Sequence, residues 1–240
     1  MSEFLPINRK EMEERDGRRW TSSMCAGTPM WTTPLFGHAI ITRLLESRGY
    51  RVGILAQPDW KKEEAIREFG RPRLAFLVSA GNMDSMVNHY SVSRRHRQTD
   101  AYSPGGVMGK RPDRAVVVYG NWIRRNYPDA PIVLGGIEAS LRRLAHYDYW
   151  SDSLRKSVLL DAQADLISYG MGERSILEIA EALDSGLAVS DLTYLPGTVY
   201  QRSFIDEGIE GIRLPSYEKL QEDKRAYAES FAVQYANTDP

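Results

Sequence analysis

Pro131–Trp150 reads PIVLGGIEASLRRLAHYDYW. Ile132, Val133 and Leu134 make a short apolar run that stops at Gly135 and Gly136. A helical pattern carrying Glu138, Ser140, Arg142 and Arg143 follows. An apolar run that ends in glycine and continues as a helix is the strand-to-helix step of a parallel sheet. The two glycines fit either a tight turn, where glycine tolerates positive φ, or a cradle in which backbone comes close to a ligand.

The same step recurs on both sides of this stretch. RVGILAQ (51–57), RLAFLVSAG (73–81) and ADLISYG (164–170) are short apolar strands. FGHAIITRLLESRGY (36–50) is an amphipathic helix with Ile40, Ile41, Leu44 and Leu45 on one face, stopped by Gly49. KKEEAIREFG, SDSLRKSVLLDA and ERSILEIAEALDSG also read as helices, and NMDSMVNHYSVSRRHRQ opens one, with Asn82 its expected N-cap. AVVVYGNWIRRNYPDA begins apolar and β-branched and then turns helical. The alternation predicts an α/β fold, a parallel sheet with helices on both faces. Residues 36–195 form this domain. Residues 1–35 read as irregular, and 196–240 as an extended connection followed by a solvated helical tail.

The composition is that of a globular chain: 240 residues, 42% hydrophobic, 26% charged, net charge −1. Bulk charge gives no attraction to nucleic acid or to acidic membranes. No apolar run approaches the roughly 18 residues of a membrane span, and the first residues lack the apolar core of a secretory signal. A cytoplasmic location is expected. Cys25 is the single cysteine, so no disulfide framework exists within the chain.

Ligands of open α/β sheets bind at the carboxyl ends of the strands, which directs attention to four loops. After 73–81 come Asn82, Asp84, Asn88 and His89, readable as a ligand cluster or as capping and a solvated face. GGIEAS presents Gly135, Gly136, Glu138 and Ser140; Glu138 would repel a bare phosphate. YGMGERS presents Gly170, Gly172 and Glu173, and Glu173 suits a helix start by its charge alone. His146, Tyr147, Asp148, Tyr149, Trp150 and Asp152 form an aromatic-acidic patch, fit for a domain interface, a ligand cover or a core. Arg142 and Arg143 are expected to pair with Glu138 or Asp148. Neither a dinucleotide fingerprint nor a Walker loop is present. His89 has no second ligand at metal spacing. No catalytic residue and no metal ligand is assigned.

AGNMDSMVNHYS, DAYSPGGVMGKRPDR, PIVLGGIEASLRRLAHYDYWSD and YGMGE are strongly similar to the N-terminal domain of the YgiQ family of radical SAM proteins. The similarity runs from Phe36 to the C-terminus and includes RVGILAQPDW. It implies a flavodoxin-like domain of the cobalamin-binding type. It also implies a following radical SAM domain, in cis, whose Cys-x-x-x-Cys-x-x-Cys motif holds a [4Fe–4S] cluster that binds S-adenosylmethionine. Such flavodoxin-like domains commonly carry an Asp-x-His-x-x-Gly motif that ligates cobalt. That motif is absent, which speaks against cobalamin. The partner of this chain would be the radical SAM domain, and the substrate a small molecule or macromolecule of unknown identity.

The resemblance fails in DGRRWTSSMCAGTPMWTTPL (16–35), where the family has a strand and then GDAYVDHPSFG. Met and Trp have single codons, so part of the DNA is fixed. Read one base out of frame, Met24–Cys25 and Met30–Trp31 both force Val, and Trp31–Thr32 forces Asp. The remaining shifted codons from Gly27 to Leu35 permit the family motif, which runs directly into Phe36–Gly37. The segment is therefore expected to derive from a shifted frame, with the first strand lost. Three readings stand: the accessory, substrate-positioning domain of a radical SAM enzyme, a free-standing small-ligand or partner-binding module, or an inert fragment of a frame-shifted gene.

Overall fold

A computed structural model describes residues 5–14, 21–26, 36–204 and 210–237. The chain runs through α1 (Arg9–Glu14), β1 (Ser22–Ala26), α2 (Phe36–Ser47), β2 (Val52–Ala56) and β3 (Ala75–Ser79). It continues through α3 (Ser85–His89), α4 (Ala115–Asn126), β4 (Ile132–Gly135) and α5 (Gly136–Leu141). A hairpin of β5 (His146–Asp148) and β6 (Ser153–Arg155) precedes α6 (Val158–Asp161), β7 (Leu166–Ser168) and α7 (Glu173–Asp184). The edge strand β8 (Thr198–Tyr200) and the helices α8 (Tyr217–Glu222) and α9 (Lys224–Ala236) complete it.

Six strands form one sheet in the order β2-β1-β3-β4-β7-β8. The first five are parallel and β8 pairs antiparallel with β7. Counting only the parallel strands, the order is the flavodoxin-like 2-1-3-4-5, which reverses direction between β1 and β3. The fold is thus α/β with a mostly parallel sheet.

Strand side chains alternate between faces, and both faces are covered. Phe76, Val78, Ile132, Leu134 and Ile167 pack with Val116, Tyr119 and Ile123 of α4. Leu77, Val133 and Leu166 pack on the other face with Leu45 of α2 and Ile176 and Ile179 of α7. Gly120 shows how closely α4 lies on its neighbour, since a Cβ there would stand 2.6 Å from the carbonyl oxygen of Ala162. Gly120→Ala is expected to cost about 1–3 kcal/mol by overpacking, outweighing its gain in helix propensity. Thermal unfolding of the variant checks this.

Several expectations change. The stretch read as irregular supplies β1, which sits inside the sheet, with Met24 level with Ile54 on one side and Leu77 on the other. No gap is left there. The slot between two strands is defined by their backbone groups, and a weakly apolar run such as SSMCA can fill it. Residues 27–35, where the shifted-frame motif falls, lie outside the described residues. The helix expected to open at Asn82 is the short α3, and the helix expected at 151–162 is strand β6 followed by α6. KKEEAIREFG forms a 3-10 turn, Glu63–Arg67, while AVVV is helical from Ala115.

The chain divides into two compact units, 1–143 with 158–201 and 144–157 with 202–240. The sheet therefore extends past residue 195 to include β8. In the second unit the tail holds the hairpin: Tyr217 Oη donates to Leu154 O at 2.9 Å, and Tyr147 N–H donates to Tyr227 Oη at 3.0 Å.

Candidate functional site

The carboxyl ends of β1, β3, β4 and β7 open onto a cavity of about 280 Å³. Met24, Leu77 and Val133 line it from the sheet, Ile41 from α2 and Ile176 from α7. Its rim is the three strand-end loops at Gly81–Asn82, Gly135–Ile137 and Gly170–Glu173. The glycine pair forms a tight turn that also lines the cavity. Gly136 has φ +79°, and a Cβ there would stand 2.6 Å from Ser79 Oγ. Ser140 joins two of the loops: its Oγ donates to Gly136 O at 2.9 Å and accepts from Gly170 N–H at 3.1 Å. Ser168 and Ser175 hydroxyls meet at 2.7 Å at the start of α7.

Glu138 is not part of the cavity. Its side chain is 1% exposed and turned into the domain. Oε2 accepts from Ser85 N–H at 2.8 Å and Oε1 from Val116 N–H at 3.1 Å. One carboxylate thus satisfies the first turns of both α3 and α4, whose N–H groups have no partner within their own helices. Burial pushes its pKa up, against the pull of those hydrogen bonds and the nearby Arg111 guanidinium.

The polar cluster at 82–89 splits. Asn82 lines the cavity. Asp84, not Asn82, caps α3, accepting from Met86 N–H at 3.0 Å and Val87 N–H at 3.1 Å. Asp84 also pairs with Arg142, a partner other than the expected Glu138 and Asp148. Arg143 lies over the Tyr169 ring at 4.8 Å, and Asp148 pairs with Arg155 at 3.3 Å. Asn88 and His89 are buried and hold the loop at 100–114. Burial acts to raise the Asp100 pKa, but hydrogen bonds from Ser103, Tyr102 and Asn88 hold it below its ordinary value. His89 Nδ1 lies 2.6 Å from Asp113 Oδ1, and Tyr90 Oη donates to Asp113 Oδ2 at 2.7 Å. Arg111 is buried and donates to Ala80 O at 2.9 Å and Met83 O at 3.2 Å. That loop supports the strand end.

His146, Tyr147, Tyr149, Trp150 and Asp152 belong to the second unit. His146 Nδ1 lies 3.1 Å from Leu144 O, Tyr147 Oη donates to Asp152, and the Tyr149 and Trp150 rings meet edge to face at 5.3 Å.

His38 was not singled out by sequence reasoning, yet it lines the cavity. It is 5% exposed, and its Nε2 has no hydrogen-bond partner among the described residues. Burial lowers its pKa from 6.5 to about 4, so the imidazole is neutral at pH 7. A signal was available: His38, Ile41 and Leu45 recur at i, i+3 and i+7, which puts the histidine on the buried face.

The family model described as Radical SAM N-terminal matches residues 4–240. The chain belongs to that family. This radical SAM N-terminal chain is 50% identical over 240 residues to a UPF0313 protein of Clostridium perfringens, covering 100% of this chain and 36% of that protein. It is 49% identical over 237 residues to a UPF0313 protein of Thermotoga neapolitana, covering 99% of this chain and 41% of that protein. The radical SAM N-terminal chain thus spans well under half the length of these relatives. Among solved structures it is similar in fold to the radical S-adenosylmethionine methyltransferase TsrM of Kitasatospora setae, described with cobalamin and a [4Fe–4S] cluster bound. The TM-score is 0.51 at 18% identity, over 78% of this chain and 30% of that one. Among the described residues no helix is long and apolar enough to cross a membrane.

Proposed function

We propose that this chain is the N-terminal, ligand-holding domain of a cytoplasmic radical SAM enzyme. The observation that carries the reading is the cavity at the carboxyl edge, bounded by the GG and GMG loops. A carboxyl-edge crevice in an open α/β sheet is where such folds bind ligands. The longer relatives leave room for a second domain that would hold the [4Fe–4S] cluster and S-adenosylmethionine and supply the radical chemistry. The residues of this chain do not fit the cluster, because ligation takes several thiolates and the chain has one cysteine. The substrate, a small molecule or a macromolecule, would reach the second domain across the strand-end loops.

The test is iron and sulfide reconstitution of the full-length Clostridium perfringens relative beside this 240-residue chain. The relative is expected to take up a [4Fe–4S] cluster and cleave S-adenosylmethionine, and this chain to do neither. A relative that assembles no cluster overturns the reading. Cobalamin is not assigned. The cobalt-ligating motif is absent from the sequence.

We further propose that residues 27–35 are read from a shifted frame. The coding DNA is expected to spell GDAYVDHPSFG one base out of register. A nucleotide sequence whose shifted frame encodes something else ends that idea.

A further inference from the structure

We propose that the basic turn at residues 89–98 is a docking surface for the phosphate backbone of a nucleic acid. The inference goes beyond the reading of this domain as ligand-holding, since none of these residues lines the cavity.

The bulk charge of −1 conceals a local excess. From Tyr90 to Arg114 the chain carries Arg94, Arg95, Arg97, Lys110, Arg111 and Arg114 against Asp100 and Asp113, six cations to two anions. Both carboxylates are already engaged. Asp100 is fully buried and accepts from Ser103 Oγ at 2.7 Å and Tyr102 N–H at 2.9 Å. Asp113 is held by His89 and Tyr90. Among the described residues Arg95 and Arg97 are exposed and have no ion-pair partner. Exposed arginines elsewhere do have one: Arg43 with Glu46, Arg174 with Glu178 and Arg225 with Glu229.

Backbone hydrogen bonds set the direction of these two side chains. Ser91 N–H donates to Arg95 O at 2.9 Å and Arg97 N–H to His89 O at 2.8 Å. Residues 95–97 thus lie antiparallel to residues 89–91, with a bridge between Tyr90 and His96. Side chains alternate along such a segment. The His96 ring meets Tyr90 edge to face at 5.1 Å and lies 6.2 Å from His89. Arg95 and Arg97 therefore share the opposite face, about 7 Å apart along the chain. Arg94 N–H closes the turn on Ser91 O at 2.9 Å, with Arg94 at φ +58°. The base beneath is tied down, since Arg111 donates to Ala80 O and Trp60 Nε1 donates to Gly109 O at 2.9 Å. A backbone ordered in advance lowers the entropy lost on binding.

Charge and shape select the partner. Guanidinium forks take phosphate oxygens bidentately. An anionic membrane would gain only about 1 kcal/mol from each arginine, and a basic patch needs a second anchor for stable attachment there. A nucleic acid repeats its phosphates and adds bases, which stack on rings such as that of the exposed His96.

The experiment measures fluorescence anisotropy of short labelled single-stranded RNA, duplex RNA and duplex DNA with this chain across a salt series. At least one is expected to bind, with affinity falling as salt rises. Arg95→Ala with Arg97→Ala is expected to weaken binding about tenfold at low salt. It is also expected to reduce the salt slope by about 1.4 on a single strand or about 1.8 on B-DNA. Arg95→Lys with Arg97→Lys keeps both charges and is expected to restore the slope, which separates loss of charge from loss of fold. Arg174→Ala with Arg225→Ala removes the same charge elsewhere and is expected to leave binding unchanged. The strand that binds most tightly identifies the source of the phosphates. No binding of any nucleic acid, equal loss in the two alanine pairs, or a lysine pair that fails to restore the slope overturns the proposal. So does polyglutamate that competes as strongly as unlabelled nucleic acid, or binding to phosphatidylserine vesicles alone. Cluster assembly plays no part in these readouts, so this inference and the radical SAM reading fail separately.

Discussion

Glu138→Ala is expected to destabilise the chain by about 3–5 kcal/mol, the range for removing one partner of a buried charged network. The substitution strips an acceptor from Ser85 N–H and from Val116 N–H at once. Each buried donor left bare costs about 1–3 kcal/mol. It also removes a negative charge facing the buried Arg111. Measured against a domain margin of about 5–15 kcal/mol, the loss is large. Glu138→Gln keeps one acceptor oxygen and is expected to cost less than alanine. Denaturant unfolding of both variants decides it. An alanine variant within about 0.5 kcal/mol of the parent, the scatter of ordinary surface changes, would show that the carboxylate does not hold the two helix starts.

Acid is expected to drain stability through His38. The unfolded imidazole takes up a proton near pH 6.5, while the folded one, buried behind the sheet edge, does so only near 4. Between those values the unfolded chain binds more protons, so lowering the pH favours unfolding. The contribution is fully present above pH 6.5 and lost as pH falls to about 4. A fall in pKa from 6.5 to about 4 amounts to roughly 3 kcal/mol. Unfolding free energies of the parent and His38→Leu, followed from pH 7.5 to 4, isolate the effect because other titrating groups are common to both. The parent is expected to lose about 3 kcal/mol more than the variant over that range. Parallel curves would place the imidazole in solvent-like surroundings and refute the burial.

The sequence alone reached the fold class through period and punctuation. Apolar runs such as RLAFLVSAG and PIVLGG, each ending in glycine before or near a helix, can pair only as strands buried on both faces. It also located the loops, because in such a sheet the carboxyl ends are the places where chain direction and helix starts leave space. Composition set the single cysteine, too few for the several thiolates that an iron–sulfur cluster takes.

Direction of side chains was not legible. Glu138, Asn82, Asp84 and His89 looked alike as polar groups near strand ends. The fold turned Asn82 to the cavity and sent the other three inward to cap helices and tie down a loop. Which of these happens depends on what stands opposite, and the partners lie far away in sequence: Val116 for Glu138, Arg142 for Asp84, Asp113 for His89. The strand at Ser22–Ala26 was hidden for a related reason. Its side chains carry little strand signal, and its place follows from the backbone of β2 and β3 on either side. His38 was hidden among apolar helix positions, and only the packing of α2 over the sheet edge left its Nε2 buried beside a cavity. Local periodicity determined the layers of this protein; contacts between residues distant in the chain decided which polar groups hold the fold together and which ones line the cavity.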